Sequence, residues 1–216
     1  TDALFYHMRA NLKRFAPRPS NRGGLKKAAV AVTIVEHGHD AGISAPRTAD
    51  STAGRAAMIL TKRSAHLKNH AGQWALPGGQ VEAGEDAQAT VLRELEEEIG
   101  LRLGPDCILG RLDDYDTRSG FSIRPLVLWG GTDVRLTPNP GEVASIHRIP
   151  LAEFMREDAP VLDDISGSEN PVLMMPVGSS CIAAPTAAII YQFREVALLG
   201  NNRRVAHYEQ PYFAWR

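Results

Sequence analysis

The chain has 216 residues, 44% hydrophobic and 23% charged, which fits one large domain or one domain with appendages. Lys and Arg number 24 against 25 Asp and Glu, a formal net charge of -1, so neither a nucleic-acid partner nor a membrane surface is expected. There is no apolar run of about 18 residues and no basic, apolar, small-residue signal pattern at the start, and Cys107 and Cys181 have neither CxxC nor zinc-ligand spacing. The expectation is a cytoplasmic chain with both cysteines as buried thiols.

Leu4, Phe5, Met8, Leu12 and Phe15 recur at spacings of three and four, which predicts an amphipathic helix packed on the same body, closed by Pro17 and Pro19. Residues 1–24 thus read as helix and linker, and 25–216 as the main domain. Ala28 to Val35 is a β-rich apolar run and predicts a buried strand. The Gly-, Ala- and Ser-rich stretch 37–54 predicts a long loop, either a lid or a plain connection. "AAMILTKR" reads as a second strand, and "GQWALPGG" as a short strand entering a Pro-Gly-Gly turn. A helix is predicted over 87–99, with Asp86 as N-cap and Gly100 as left-handed stop. "CILGRLDDYDTRSG" and "FSIRPLVLWG" read as two strands joined by a polar turn, "EVASIHRIP" as another strand, and "LAEFMRE" as a helical turn. "PVLMMPV" reads as a strand between prolines. Pro185 opens a last helix to about Leu199, and the aromatic tail "HYEQPYFAWR" docks on the body. Strands mixed with well-separated helices predict an α/β or α+β layered fold.

The chemistry concentrates between Gly79 and Leu101. At about 100° per residue, Glu94, Glu97 and Glu98 share one helix face while Leu92, Leu95 and Ile99 face the core. Like charges at that spacing repel by a few tenths of a kcal/mol per pair even in water. A bare acidic run of this kind is commonly a solvated face. Here Gly78 and Gly79 lie just before the helix, where backbone can approach a ligand closely, and Arg93 can pair with Glu85 to hold the loop. An oxygen-rich cluster suits Mg²⁺ or Mn²⁺, which bridge to substrate phosphates.

These residues resemble the Nudix box, G-x5-E-x7-R-E-U-x-E-E-x-G-U with U aliphatic: Gly79, Glu85, Arg93, Glu94, Leu95, Glu97, Glu98, Gly100 and Leu101 match it. The resemblance implies a Nudix-type α/β/α sandwich with a mixed sheet and a loop-helix-loop motif, and metal-dependent hydrolysis of a diphosphate bond. It implies metal ligation by Glu94, Glu97 and Glu98 with the Gly78 carbonyl, proton removal from water by one of these glutamates, Glu94 foremost, and structural roles for Arg93 and Glu85. Proteins of this family often form homodimers, for which the first helix or the aromatic tail is the candidate surface.

Upstream, "LTKRSAHLKNHAGQWALPGG" resembles the signature of the coenzyme A diphosphatase branch, LLTxR[SA]xxxRxxxGxxxFPGG. Leu60, Thr61, Arg63, Ser64, Gly72, Pro77, Gly78 and Gly79 match, whereas Ile59, Lys68 and Leu76 stand for Leu, Arg and Phe. Lys for Arg keeps the charge and loses the bidentate fork. The implied reaction is hydrolysis of coenzyme A or a derivative to 3′,5′-ADP and 4′-phosphopantetheine. Lys62, Arg63, Lys68 and His70 form a cationic cluster able to hold phosphates, with Gly79 beside it. Glu142, in "NPGEV", reads as a turn or strand-edge carboxylate; in several members of the family a distal acid joins the metal site. Two alternatives stay open: a Nudix hydrolase for NADH, ADP-ribose, a nucleotide sugar or a dinucleoside polyphosphate, and a non-catalytic nucleotide-binding module.

Overall fold

Alternation of side chains along two apolar strands decides the layering. In β1 (Lys26–Glu36), Ala29, Ala31 and Val35 face one way and Val32 and Ile34 the other, all without solvent exposure. In β2 (Ala56–Arg63), Ala57 and Ile59 face the first side and Ala56, Met58 and Leu60 the second. A sheet apolar on both faces must be covered on both. A computed structural model describes residues 2–36, 56–65, 71–164 and 168–211; the loop expected over 37–54, and Lys68 and His70, lie outside them.

Helix α1 is Asp2–Arg14 and α2 is Ala87–Ile99. The other strands of the large sheet are β3 (Trp74–Ala75), β4 (Gly78–Gln80), β5 (Ile108–Arg111), β6 (Tyr115–Asp116), β7 (Phe121–Gly131) and β8 (Val143–Pro150). β7 runs parallel to β1 and the remaining pairings are antiparallel, so the sheet is mixed. β1 and β2 pair only through Ile34–Glu36 and Ala56–Met58. Beyond that they part, and segment 74–80 is wedged between them: Trp74 and Ala75 pair with β2, and Gly78 to Gln80 pair with β1.

Helix α2 covers the first face, with Val91, Leu95 and Ile99 packed on Ala29, Ala31, Ala57 and Ile59. The second face carries α1, helix α3 (Thr186–Phe193) and a small antiparallel sheet in the order β11–β10–β9, formed by β9 (Val161–Asp163), β10 (Val172–Val177) and β11 (Ser180–Ala183). Met8, Leu12 and Phe15 are buried in the same cluster as Ile190 and Phe193. Asn11 Nδ2 donates to the Ala197 carbonyl at 2.9 Å, and His7 Nε2 lies 2.8 Å from the Leu198 carbonyl. These are orphan carbonyls of a helix end, satisfied by side chains. The α/β/α layering and the mixed sheet are as the sequence predicts. Among the described residues, no helix is long and apolar enough to cross a membrane.

Several local expectations are corrected. The strand expected from Cys107 onward is split into β5 and β6, because Asp113 and Asp114 turn aside to accept the backbone N–H groups of Arg18 and Ser20. Pro185 caps the last helix rather than opening its first turn, and a wider helical turn, Arg194–Leu198, succeeds α3. β9 and β11 are strands that the sequence pattern does not reveal. Cys181 is exposed and Cys107 half-buried, because Cys181 lies on the edge strand of the small sheet.

Candidate active site

Helix α2 is closed at both ends by its own sequence. The Asp86 side chain accepts the Ala89 N–H at 2.9 Å. Gly100, at φ 69°, lets the Gly100 and Leu101 N–H groups reach the carbonyls of Glu96 and Leu95. Between these caps, burying Leu95 and Ile99 turns Glu94 and Glu98 toward the wedge, where they are 9% and 6% exposed.

The two glycines make room for them. A Cβ on Gly79 would lie 2.0 Å from Glu94 Oε1, and a Cβ on Gly78 would lie 2.3 Å from the Ala29 carbonyl oxygen. The Gly78 N–H donates to Glu98 Oε2 at 3.3 Å. A third carboxylate arrives from the loop before β8. There the Asn139 N–H donates to the Glu98 carbonyl, the Glu142 N–H to the Asn139 carbonyl, and the Ser64 N–H to the Glu142 carbonyl. Glu94, Glu98 and Glu142 each present an oxygen within 4.8 Å of the others.

Arg93 organises the other side. Its guanidinium grips Glu85 through Nε at 2.8 Å and Nη2 at 3.1 Å, and Nη1 donates to Glu94 at 3.0 Å and Glu97 at 2.9 Å. Glu85 also accepts from Thr90 Oγ1 at 2.9 Å. Glu97, whose side chain is 54% exposed, thus lies on Arg93 and outside the group of three.

The electrostatics follow. Hydrogen bonds from Arg93 hold the Glu85 carboxyl down at about 2. Burial, with the adjacent Glu94 charge adding to it, pushes the Glu98 carboxyl up to about 8. Burial likewise raises Glu94. Two buried carboxylates and a third nearby are costly without a cation, so this donor set of hard oxygens fits a divalent metal ion.

A cavity of about 540 Å³ opens beside the wedge, and Lys62, Arg63, Gly78 and Gly79 all line it. Arg63 Nε is buried without a hydrogen-bond partner among the described residues, and the Arg63 charge acts on Glu98. The Lys62 ammonium stands 4.8 Å from the Trp74 ring centroid, a cation–π contact. Trp74 donates through Nε1 to Ser180 Oγ at 3.1 Å and meets His147 edge-on at 4.7 Å. Burial, then the Lys62 charge, keeps His147 below its ordinary pKa. Of the expected residues, Glu94, Glu98, Gly78, Gly79, Lys62 and Arg63 thus lie around the wedge, Glu97 is held on Arg93 outside the group of three, and Lys68 and His70 lie outside the described residues. Trp74 and His147 escaped the sequence reading, since a lone aromatic or histidine in a strand carries no signal. Glu142 carried one, an acid after a Pro-Gly turn.

Comparisons with known proteins bear on this geometry. The NUDIX domain model matches residues 39–165. The chain is similar to a protein of Yersinia enterocolitica described as an uncharacterized Nudix hydrolase, NudL, at 37% identity over 136 residues, covering 62% of this chain and 70% of that protein. A NudL of Photorhabdus laumondii, described in the same words, is 34% identical over 141 residues, 64% of this chain and 75% of that one. Among solved structures, a MutT/nudix family protein from Enterococcus faecalis matches with a TM-score of 0.51 at 17% identity, over 88% of this chain and 71% of that one.

Proposed function

Given that the chain belongs to the Nudix hydrolase family, a hydrolase acting on a nucleoside diphosphate-linked substrate, we propose that its substrate is coenzyme A or a derivative and its metal Mg²⁺ or Mn²⁺. The observation that carries the reading is the gathering of Glu94, Glu98 and Glu142 beside Gly78 and Gly79, with Lys62 and Arg63 across the same wedge.

In this reading Glu94 and Glu98 hold the metal with the Gly78 carbonyl. Glu142 is the further ligand, and Glu97 joins on release from Arg93. The ion supplies charge neutralisation on the diphosphate and lowers the pKa of a water. Glu94 accepts the proton of the attacking water. Arg63, whose buried Nε has no hydrogen-bond partner among the described residues, and Lys62, steadied over Trp74, bind phosphate oxygens, and Lys68 and His70, grouped with them in the sequence alone, are assigned the same role. Gly79 lines the same cavity and, lacking a side chain, leaves the room that Glu94 fills; its backbone is assigned to the diphosphate. Arg93 and Glu85 hold the loop on the helix. Water adds to phosphorus and the P–O–P bridge breaks, giving 3′,5′-ADP and 4′-phosphopantetheine. Positioning and electrostatics of this kind carry most phosphoryl transfer.

The test is a panel of coenzyme A, NADH, ADP-ribose, a nucleotide sugar and diadenosine polyphosphates with Mg²⁺ and Mn²⁺, products resolved by chromatography. The reading expects 3′,5′-ADP from coenzyme A faster than any product from the others. Turnover of another substrate and none of coenzyme A keeps the hydrolase and discards this substrate. Nucleotide binding with no turnover at all favours a binding module.

A further inference from the structure

Among the described residues, the cavity has one charged end and otherwise neutral walls, an asymmetry that bears on which half of the substrate it takes. Among its described lining residues, only Lys62 and Arg63 carry charge. Past Gly78 and Gly79 the sheet continues through β1 to β7, two strand spacings or roughly 10 Å. There Phe121 and Ile123 face Ile182 of β11 and Ile189 of α3 around the same cavity, with Gln80 and Thr117 as neutral hydrogen-bonding groups. An adenosine half bearing a 3′-phosphate needs cationic partners, and among the described residues none lines this end of the cavity; the Lys26 ammonium is held over the Phe121 ring, 5.7 Å from its centroid, and is not part of the lining. The other half of coenzyme A is neutral, with two amides and a terminal thiol. Its amides suit neutral polar groups, and an acyl chain on the thiol suits the isoleucines. At about 540 Å³ the cavity falls within the ordinary range for a small-molecule site, about 300–1,000 Å³.

Resting on the coenzyme A reading, we infer that this cavity receives the pantetheine arm together with a thioester-linked acyl group, so that the preferred substrates are acyl thioesters of coenzyme A rather than the free thiol. Ile123 and Ile189 are the residues assigned to read the acyl chain. The bond cleaved is still the diphosphate, and the acyl group leaves intact on 4′-phosphopantetheine.

The experiment measures kcat/KM for 3′,5′-ADP release from free, acetyl, butyryl and hexanoyl coenzyme A. A buried CH₂ group gives about a fourfold gain, so partial burial of the chain raises kcat/KM at least about tenfold from free to hexanoyl. In Ile123→Asn and Ile189→Ser the hexanoyl-to-free ratio falls toward one. That ratio does not depend on how much of a variant is folded. Calorimetry on the unaltered protein adds a readout that needs no variant: S-hexanoyl-4′-phosphopantetheine binds at least about tenfold more tightly than 4′-phosphopantetheine. Equal rates and affinities across chain length overturn this inference while leaving coenzyme A as substrate. A chain-length gain that both variants keep overturns the assignment to this cavity. Cleavage of dinucleotides with none of any coenzyme A compound removes the substrate reading, and this inference with it.

Discussion

Glu98 shows how a carboxylate is made to need a cation. It is 6% exposed, its helix neighbour Glu94 carries the same charge, and its carboxyl is raised to about 8. The folded chain therefore holds a proton on Glu98 that the unfolded chain has lost above about 4.5. Between these values the unfolded state binds fewer protons, so the stability of the metal-free protein falls as pH rises from about 4.5 to about 8 and levels off above that. Thermal melts in chelator across this range should show a declining midpoint, and Glu98→Gln should flatten that decline; an equal slope in both proteins removes Glu98 as its source. At the chemical step, Glu94→Gln and Glu98→Gln should each lower kcat by about 10²-fold or more, whereas Glu142→Gln should weaken the metal by about tenfold. Steady-state rates against metal concentration separate the two effects, and a change under threefold in Glu98→Gln contradicts its assignment.

At the scale of elements, the site depends on a helix and a wedge that approach within side-chain contact. Helix α2 was fully legible: Asp86, the Leu95 and Ile99 stripe and Gly100 specify a start, a buried face and a stop, and the bounds Ala87–Ile99 coincide with the expected span. Glu85 and Arg93 were legible as a pair because a carboxylate before the helix and a guanidinium within it can meet only by folding the loop back. The wedge was not legible, because pairing of 74–80 with both β1 and β2 depends on the two long strands parting, a tertiary event without a local pattern. For the same reason Trp74 gave no hint that it underlies Lys62. Gly78 and Gly79 were legible as a turn but not as the gap that admits Glu94. Gly79→Ala puts a methyl group 2.0 Å from Glu94 Oε1, so it should displace that carboxylate and lower activity by about 10²-fold. Gly78→Ala meets rigid backbone at 2.3 Å and should also destabilise the fold by about 1–3 kcal/mol. Denaturant titrations with parallel rate measurements check both, and Gly79→Ala with full activity would show that Glu94 has room to spare.

For the whole molecule, the question is how the first helix relates to the body. The sequence separates residues 1–24 from the rest, and the NUDIX domain match begins at residue 39. Yet Met8 is fully buried and Leu12 is 4% exposed against Ile190 and Phe193, and Asn11 caps the Ala197 carbonyl. We propose that α1 folds as part of the same cooperative unit. Met8→Ala should cost about 2–5 kcal/mol in a single unfolding transition, and an unchanged midpoint would mark the helix as a separate appendage. The same core fixes α3 and the small sheet, which supply the far wall of the cavity, so loosening α1 should reach substrate binding indirectly.

If Glu94, Glu98 and Glu142 hold the divalent ion on which hydrolysis depends, a Mn²⁺ titration of the unaltered protein and of Glu98→Gln, followed by calorimetry, reads it at the site itself. The expected result is a saturable site in the unaltered protein that Glu98→Gln weakens at least about tenfold, with melts showing the variant folded. Equal Mn²⁺ affinity in the two folded proteins would contradict it and move the metal away from helix α2.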